Sequence, residues 1–159
     1  MTEKYYRPRQ LDFETLLRVL ADEHRVMEAG LVKIGDAAAR SDYAEVSGVL
    51  KEIDPLFRQH IADEESQILR LLIGELGVKG AEEEIRVFQQ HRPIHTLMQL
   101  VGELASKSAA ELRNEQSKLR ELFAKHAAVE ESRVFPKALG ICRGSARPGG
   151  APGNPKPQA

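Results

Sequence analysis

The segments HIADEESQIL, residues 60–69, and HAAVEESRVF, residues 126–135, decide the fold of this chain. They share the histidine, two consecutive glutamates, the serine and an apolar ending. In both segments a glutamate follows the histidine by four residues, so the two side chains lie one turn apart on one face of an α-helix. A second related pair is EHRVME at residues 23–28 and QHRPIH at residues 90–95. The two pairs indicate two repeated helical hairpins.

Apolar residues around these segments recur at alternating steps of three and four, which is the period of a helix with one buried face. No stretch alternates in the manner of a strand. The expected helices run from a cap at Asp12 to about Ala38, from Ser41 or Asp42 to about Leu72, from about Ala81 to Ala105, and from Ser108 to near Phe135–Pro136.

Capping residues and glycines predict where these helices begin and end. Asp42 with Glu45, and Ser108 with Glu111, form capping boxes at two helix starts. A loop is expected at Gly74, Gly77 and Gly80. Because short connections join long helices, consecutive helices should be antiparallel. The predicted fold is therefore all-α, an up-down-up-down antiparallel four-helix bundle built from two helical-hairpin repeats.

Composition divides the chain into three parts. Residues 1–11 are expected to form an N-terminal arm, residues 12–140 the bundle, and residues 141–159 a disordered tail rich in glycine and proline. The tail has no large apolar side chain from residue 143 onward, so it cannot bury enough surface to offset its ordering entropy.

Charge and cysteine content exclude several classes of protein. The net charge of −1 argues against a nucleic-acid or membrane-surface partner, since both need a concentrated positive field. The single cysteine, Cys142, excludes an intrachain disulfide and a thiolate metal cage. No apolar segment is long enough for a membrane span, and no export signal is recognised, so a cytoplasmic location is expected.

All five histidines lie on the inward faces of the predicted helices, where apolar residues are expected. The candidate metal ligands are His24, His60, Glu64, His91, His95, His126 and Glu130. Imidazole and carboxylate donors without sulfur suit iron, manganese or zinc. An unpaired carboxylate in the core of a bundle costs several kcal/mol, so the buried glutamates need a cation.

At these residues the chain resembles the hemerythrin-like, HHE cation-binding family. The resemblance implies a non-haem di-iron centre, with His91, His95 and His126 on one iron and His24 and His60 on the other. It also implies that Glu64 and Glu130 bridge the two irons. Glu131 is the alternative bridge, because classical hemerythrins place an Asp five residues after the last histidine. Glu28, which stands where His95 stands in the other half, is a possible outer or alternative ligand. Pro93 is expected to kink the third helix.

Three functions are compatible with such a site. The first is binding or sensing of a small ligand such as dioxygen, nitric oxide or peroxide. The second is a di-iron enzyme for peroxide disproportionation or for repair of nitrosative damage to iron–sulfur clusters. The third is an iron-buffering bundle in which the metal contributes folding energy alone. Seven protein ligands shared by two octahedral ions would leave room for an exchangeable ligand. This favours the first two functions over the third.

Overall fold

A computed structural model describes residues 6–145, and its regular structure is helical throughout. The elements are α1 (Phe13–Ala39), α2 (Tyr43–Asp63), a π-helical segment π1 (Glu64–Leu69), α3 (Arg70–Gly80), α4 (Glu82–Gln89), α5 (His91–Leu104), α6 (Ala109–Val129), a second π-helical segment π2 (Glu130–Val134) and α7 (Phe135–Ser145).

These elements join into the four helices of a bundle. The four are α1, the continuous α2–π1–α3, the pair α4–α5, and the continuous α6–π2–α7. Helix α1 packs against α2 and α6, and α5 packs against α6 and α2. The predicted four-helix fold is confirmed. Its construction from two repeated hairpins stays a prediction.

Two of the predicted helix starts carry the expected side-chain caps. Asp12 accepts a hydrogen bond from the backbone N–H of Thr15 at 3.0 Å, and Asp42 accepts one from Glu45 at 3.1 Å. Each such cap contributes about 1 kcal/mol. Ser108 occupies the N-cap of α6, but its side chain makes no cap hydrogen bond, so this predicted capping box is not formed.

The connection predicted at Gly74, Gly77 and Gly80 is shorter than expected. The chain stays helical through Gly74, and the helical backbone is interrupted at Gly77, with φ 72° and ψ 166°, before α4 begins. Glycine lowers helix propensity by about 1 kcal/mol without excluding the helix. Buried Leu72 holds the segment against the bundle.

Pro93 and Pro136 both stand at positions where the regular α-helical hydrogen-bond ladder is already interrupted. Pro93 is the third residue of α5, directly after a break at Gln90, where the first-turn N–H groups need no helical acceptor. Pro136 follows π2, whose wider turn has already shifted the hydrogen-bond ladder. The fourth helix therefore does not end near Phe135–Pro136 but continues to Ser145.

The predicted division into arm, bundle and tail stays a prediction. Residues 6–11 of the arm and the cap residue Asp12 precede α1 without regular structure, while α7 extends five residues past the expected boundary at 140. Residues 1–5 and 146–159, which include most of the predicted tail, lie outside the described residues. Within residues 6–145, no helix combines the length and the apolar character that a membrane crossing requires.

Two apolar clusters fill the bundle, one on each side of a polar layer. The larger includes Met27, Ile53 and Met98, and the smaller includes Leu20 and Ile68. Every helix of the bundle passes from one cluster to the other, and the chemically reactive side chains lie at the crossing point. The fold thus seals a polar layer between two water-excluding cores.

Candidate metal centre

Four histidines and two glutamates meet in the polar layer. The histidines are each at most 3% exposed, and Glu64 and Glu130 are fully buried. The inward ring atom is Nε2 in all four histidines. The six residues, one or two from each helix of the bundle, are His24, His60, Glu64, His91, His126 and Glu130.

The two glutamates lie at the centre of this group. The Nε2 of His60 is 2.9 Å from one oxygen of Glu64, and the Nε2 of His91 is 3.0 Å from the other. The Nε2 of His24 is 3.0 Å from one oxygen of Glu130, and the Nε2 of His126 is 2.8 Å from the other. Each carboxylate therefore contacts a pair of imidazoles with its two oxygens.

The six residues form two overlapping groups whose donor atoms all lie within 4.8 Å of one another. One group contains His24 and His60, the other contains His91 and His126, and both contain Glu64 and Glu130. This sharing is the arrangement that two adjacent cations with two bridging carboxylates require.

The donor atoms fit a metal better than they fit one another. All four inward Nε2 atoms and all four oxygens of Glu64 and Glu130 lack a hydrogen-bond partner within the described residues. They are close, but their donor and acceptor directions are not aligned. Leaving so many buried polar atoms unsatisfied costs about 1–3 kcal/mol each. Converging lone pairs of nitrogen and oxygen are satisfied by a cation placed between them.

The electrostatics of the layer also favour a cation between the carboxylates. Burial opposes charge on Glu130, but the imidazoles of His126, His24 and His91 outweigh it and hold the pKa of this carboxyl well below its usual range. Burial likewise opposes charge on His91, yet Glu130 and Glu64 raise the pKa of this imidazole well above 6.5. In the absence of metal, protons on the imidazoles partly replace the positive charge that the carboxylates need.

The outward ring atom, Nδ1, has its own acceptor in three of the four histidines. His24 donates to Glu131 at 3.0 Å, His91 to Glu65 at 3.2 Å, and His126 to the side-chain oxygen of Gln90 at 3.0 Å. Such a bond fixes the tautomer in which Nε2 is free to bind a metal, and it fixes the orientation of the ring.

His95 lies apart from the central group. Its Nε2 is 3.3 Å from Asp54 and it belongs to neither group of donors, so a place for His95 on one ion with His91 and His126 stays a prediction. Both the third and the fourth residue after His91 can face the seam of a helix. Apolar Ile94, which is fully buried, takes that place, and His95 turns toward the surface of α2.

The two remaining candidates lie outside the central group. Glu131 contacts the outer nitrogen of His24 and its side chain is 37% exposed, so Glu130 and not Glu131 occupies the central position. Glu28 is exposed on α1.

Sequence reasoning missed the outer partners Glu23 and Gln90. Both directly precede a histidine of the central group, in EHR and QHR, so the repeated position before the histidine was the available signal.

Comparison with protein families gives a match over most of the chain. The model of the hemerythrin HHE cation-binding domain matches residues 15–138, which is most of the chain and contains all six central residues. No curated protein and no solved structure matches the chain.

Proposed function

The chain belongs to the hemerythrin HHE cation-binding family, and we propose that it is a non-haem di-iron protein that binds or senses a small ligand such as dioxygen, nitric oxide or peroxide. One observation carries the proposal: two groups of four buried donors share Glu64 and Glu130. His24 and His60 would hold one iron, and His91 and His126 the other.

The number of donors supports a site that accepts an added ligand. Each group offers two imidazole nitrogens and one oxygen from each of two shared carboxylates, four donors in all. Non-haem ferrous sites with few protein ligands keep open positions at which dioxygen and related molecules bind. A metal with purely structural duties is usually enclosed by its full set of protein ligands.

A surface cleft gives a small molecule a short path to the layer. The cleft has a volume of about 270 Å³, and the central ligand His91 lines it together with Glu65, Arg92 and His95. Three aromatic rings add apolar surface next to the histidines: Phe57, Phe88 and Phe123. The proposed ligand therefore enters from the side of His91 and meets apolar rings beside the donors.

Nitric oxide titration of the iron-loaded chain tests this function. We expect anaerobic loading with ferrous iron, followed by nitric oxide, to give a saturable change in the visible absorption spectrum. Glu64→Gln should abolish the change, because it removes the charged donor that both groups share and so weakens the binding of both ions. Glu28→Gln is the matched control, an exposed carboxylate on α1, and should behave like the unmodified chain.

Two results would contradict this assignment. An iron-loaded chain whose spectrum does not respond to nitric oxide, or a response that survives Glu64→Gln, excludes ligand binding at these residues. Sustained dioxygen release from added peroxide would assign the protein to the enzyme alternative instead of a binding role.

A further inference from the structure

The segment before α1 is fixed onto the polar layer by Arg9. Its backbone N–H and its side-chain Nε donate to the two oxygens of Asp63 at 2.7 and 2.6 Å. The side-chain amide of Gln67 donates to the carbonyl of Arg9 at 3.1 Å, and Gln59 donates to the carbonyl of Arg7 at 2.8 Å. Arg9 lies outside the residues that the family model matches.

The guanidinium of Arg9 joins two buried carboxylates. Besides Asp63, which is fully buried, it donates through Nη2 to Oε1 of Glu23, which is 6% exposed. The planar fork of an arginine suits two carboxylates at once and holds both in fixed orientations. Arg9 is thus the cation that pairs with both Glu23 and Asp63 in the structure.

The second oxygen of Glu23 faces His60 in the polar layer. Its Oε2 lies 4.0 Å from the Nδ1 of His60, and neither atom has a hydrogen-bond partner in residues 6–145. A movement of about 1 Å by either side chain brings the pair within hydrogen-bond distance. Arg9 on one oxygen therefore determines where the other oxygen of Glu23 lies relative to His60.

In the other half of the chain, Gln90 lies beside His126 as Glu23 lies beside His60. Gln90 stands 67 residues after Glu23, and its side-chain oxygen accepts from the Nδ1 of His126 at 3.0 Å. That neutral amide needs no compensating cation. Glu23 at the same place is charged and buried, and it requires Arg9. The outer environments of His60 and His126 consequently differ.

We propose that Arg9 is a positioning residue for the ion held by His24 and His60, because it holds Glu23 as the outer acceptor of His60. This inference rests on the proposed two-ion site. Without Arg9, Glu23 loses the ion pair that holds it in place. The affinity for the ion held by His24 and His60 then falls by roughly tenfold, in the range found when outer partners of metal ligands are removed. At the other ion, His91 and His126 keep their outer acceptors, Glu65 and Gln90, so the affinity for that ion changes little.

Anomalous diffraction at the iron edge can measure the two positions separately. Crystals of the full chain are equilibrated with ferrous iron at a free concentration that half-fills the weaker position of the unmodified protein. In Arg9→Gln, we expect iron beside His24 and His60 to fall several-fold relative to iron beside His91 and His126. Arg25→Gln is the matched control, because it makes the same change one residue from His24 in an exposed pair with Asp22.

A conservative variant separates positioning from folding. Arg9→Lys keeps the charge beside Asp63 but lacks the fork, so we expect an intermediate iron occupancy with a melting temperature close to that of the unmodified chain. Unchanged occupancy at both positions in Arg9→Gln would overturn the inference. So would an equal fall at both positions, which a general loss of stability explains. Absence of paired iron in the unmodified chain would overturn the proposed function itself.

Discussion

The inward ring nitrogen is the decisive feature at the scale of single residues. Four imidazoles point Nε2 at two shared carboxylates, and three of them donate through Nδ1 to an outer acceptor. The orientation of these three rings is therefore set before a metal arrives. Preorganisation of this kind lowers the cost of assembling a two-ion site.

His126 and His95 give a matched pair of histidine substitutions. We expect His126→Ala to lose one of two bound ions, because it removes a buried donor from the group that contains His91 and both glutamates. His95→Ala should keep both ions, since His95 contacts Asp54 instead of the central group. Elemental mass spectrometry after anaerobic loading and desalting measures the difference. Loss of an ion in His95→Ala would restore the original expectation of a ligand at that position.

Most of the candidate site could be predicted from the sequence, because histidines and glutamates are unusual at positions that face a helical core. Histidines and glutamates at apolar seam positions, in repeated segments, identified all six central residues. The seam pattern could not choose between Ile94 and His95, because both the third and the fourth residue after His91 can face a helix seam. That choice depends on which side chain loses less free energy on burial, and the apolar one does. The role of Arg9 could not be predicted in this way, because it depends on a contact with Asp63, 54 residues later in the chain.

At the scale of elements, the two π-helical segments mark the site. Each begins at a central glutamate, π1 at Glu64 and π2 at Glu130, directly after a His-x-x-x-Glu turn. A π turn makes poorer hydrogen bonds than an α turn and occurs mostly at functional positions. Here it sends consecutive glutamates to different places, Glu64 to the centre and Glu65 to the outer nitrogen of His91.

The contact between α1 and α2 allows a paired test of packing with two glycines. A Cβ at Gly30 would lie 2.8 Å from the branched Cγ2 of Ile53, so we expect Gly30→Ala to lower the free energy of unfolding by about 1–3 kcal/mol. Gly48 is exposed on α2 with open space around it, so Gly48→Ala should raise the free energy of unfolding by about 0.5–1 kcal/mol. Urea denaturation of the metal-free protein measures both changes. Equal effects would show that the close approach of these helices is not tight.

Element boundaries were less predictable than element identity. Caps such as Asp12 act locally and were correctly read from the sequence. Gly74 and Pro136 are also local signals, but the packing around them overrides their cost. Buried Leu72 and Phe135, which both belong to the smaller apolar cluster, hold those segments against the bundle.

At the scale of the whole molecule, the polar layer makes stability depend on metal and on pH. His24 and His91 have raised pKa values in the metal-free fold, because nearby carboxylates outweigh the effect of burial. Their contribution to stability is complete below their ordinary value of 6.5 and is lost as pH rises through the raised pKa. Glu130, with a lowered pKa, contributes above about 4.5 and loses its contribution as pH falls through the lowered value.

Thermal unfolding at several pH values tests this coupling. We expect the melting temperature of the metal-free protein to fall as pH rises above about 6.5, when the imidazoles release protons and leave the two carboxylates uncompensated. The iron-loaded protein should melt at a higher temperature and should not show this fall, because bound ions replace the protons. Parallel pH profiles with and without iron would mean that the layer does not hold the metal.

The metal content of the purified chain tests the central claim most directly. The measurement is elemental mass spectrometry after anaerobic loading with ferrous iron and removal of free metal. Two donor groups that share Glu64 and Glu130 predict two irons per chain. A content of zero or one iron would contradict the paired site and reduce the polar layer to a single-ion site or a polar core.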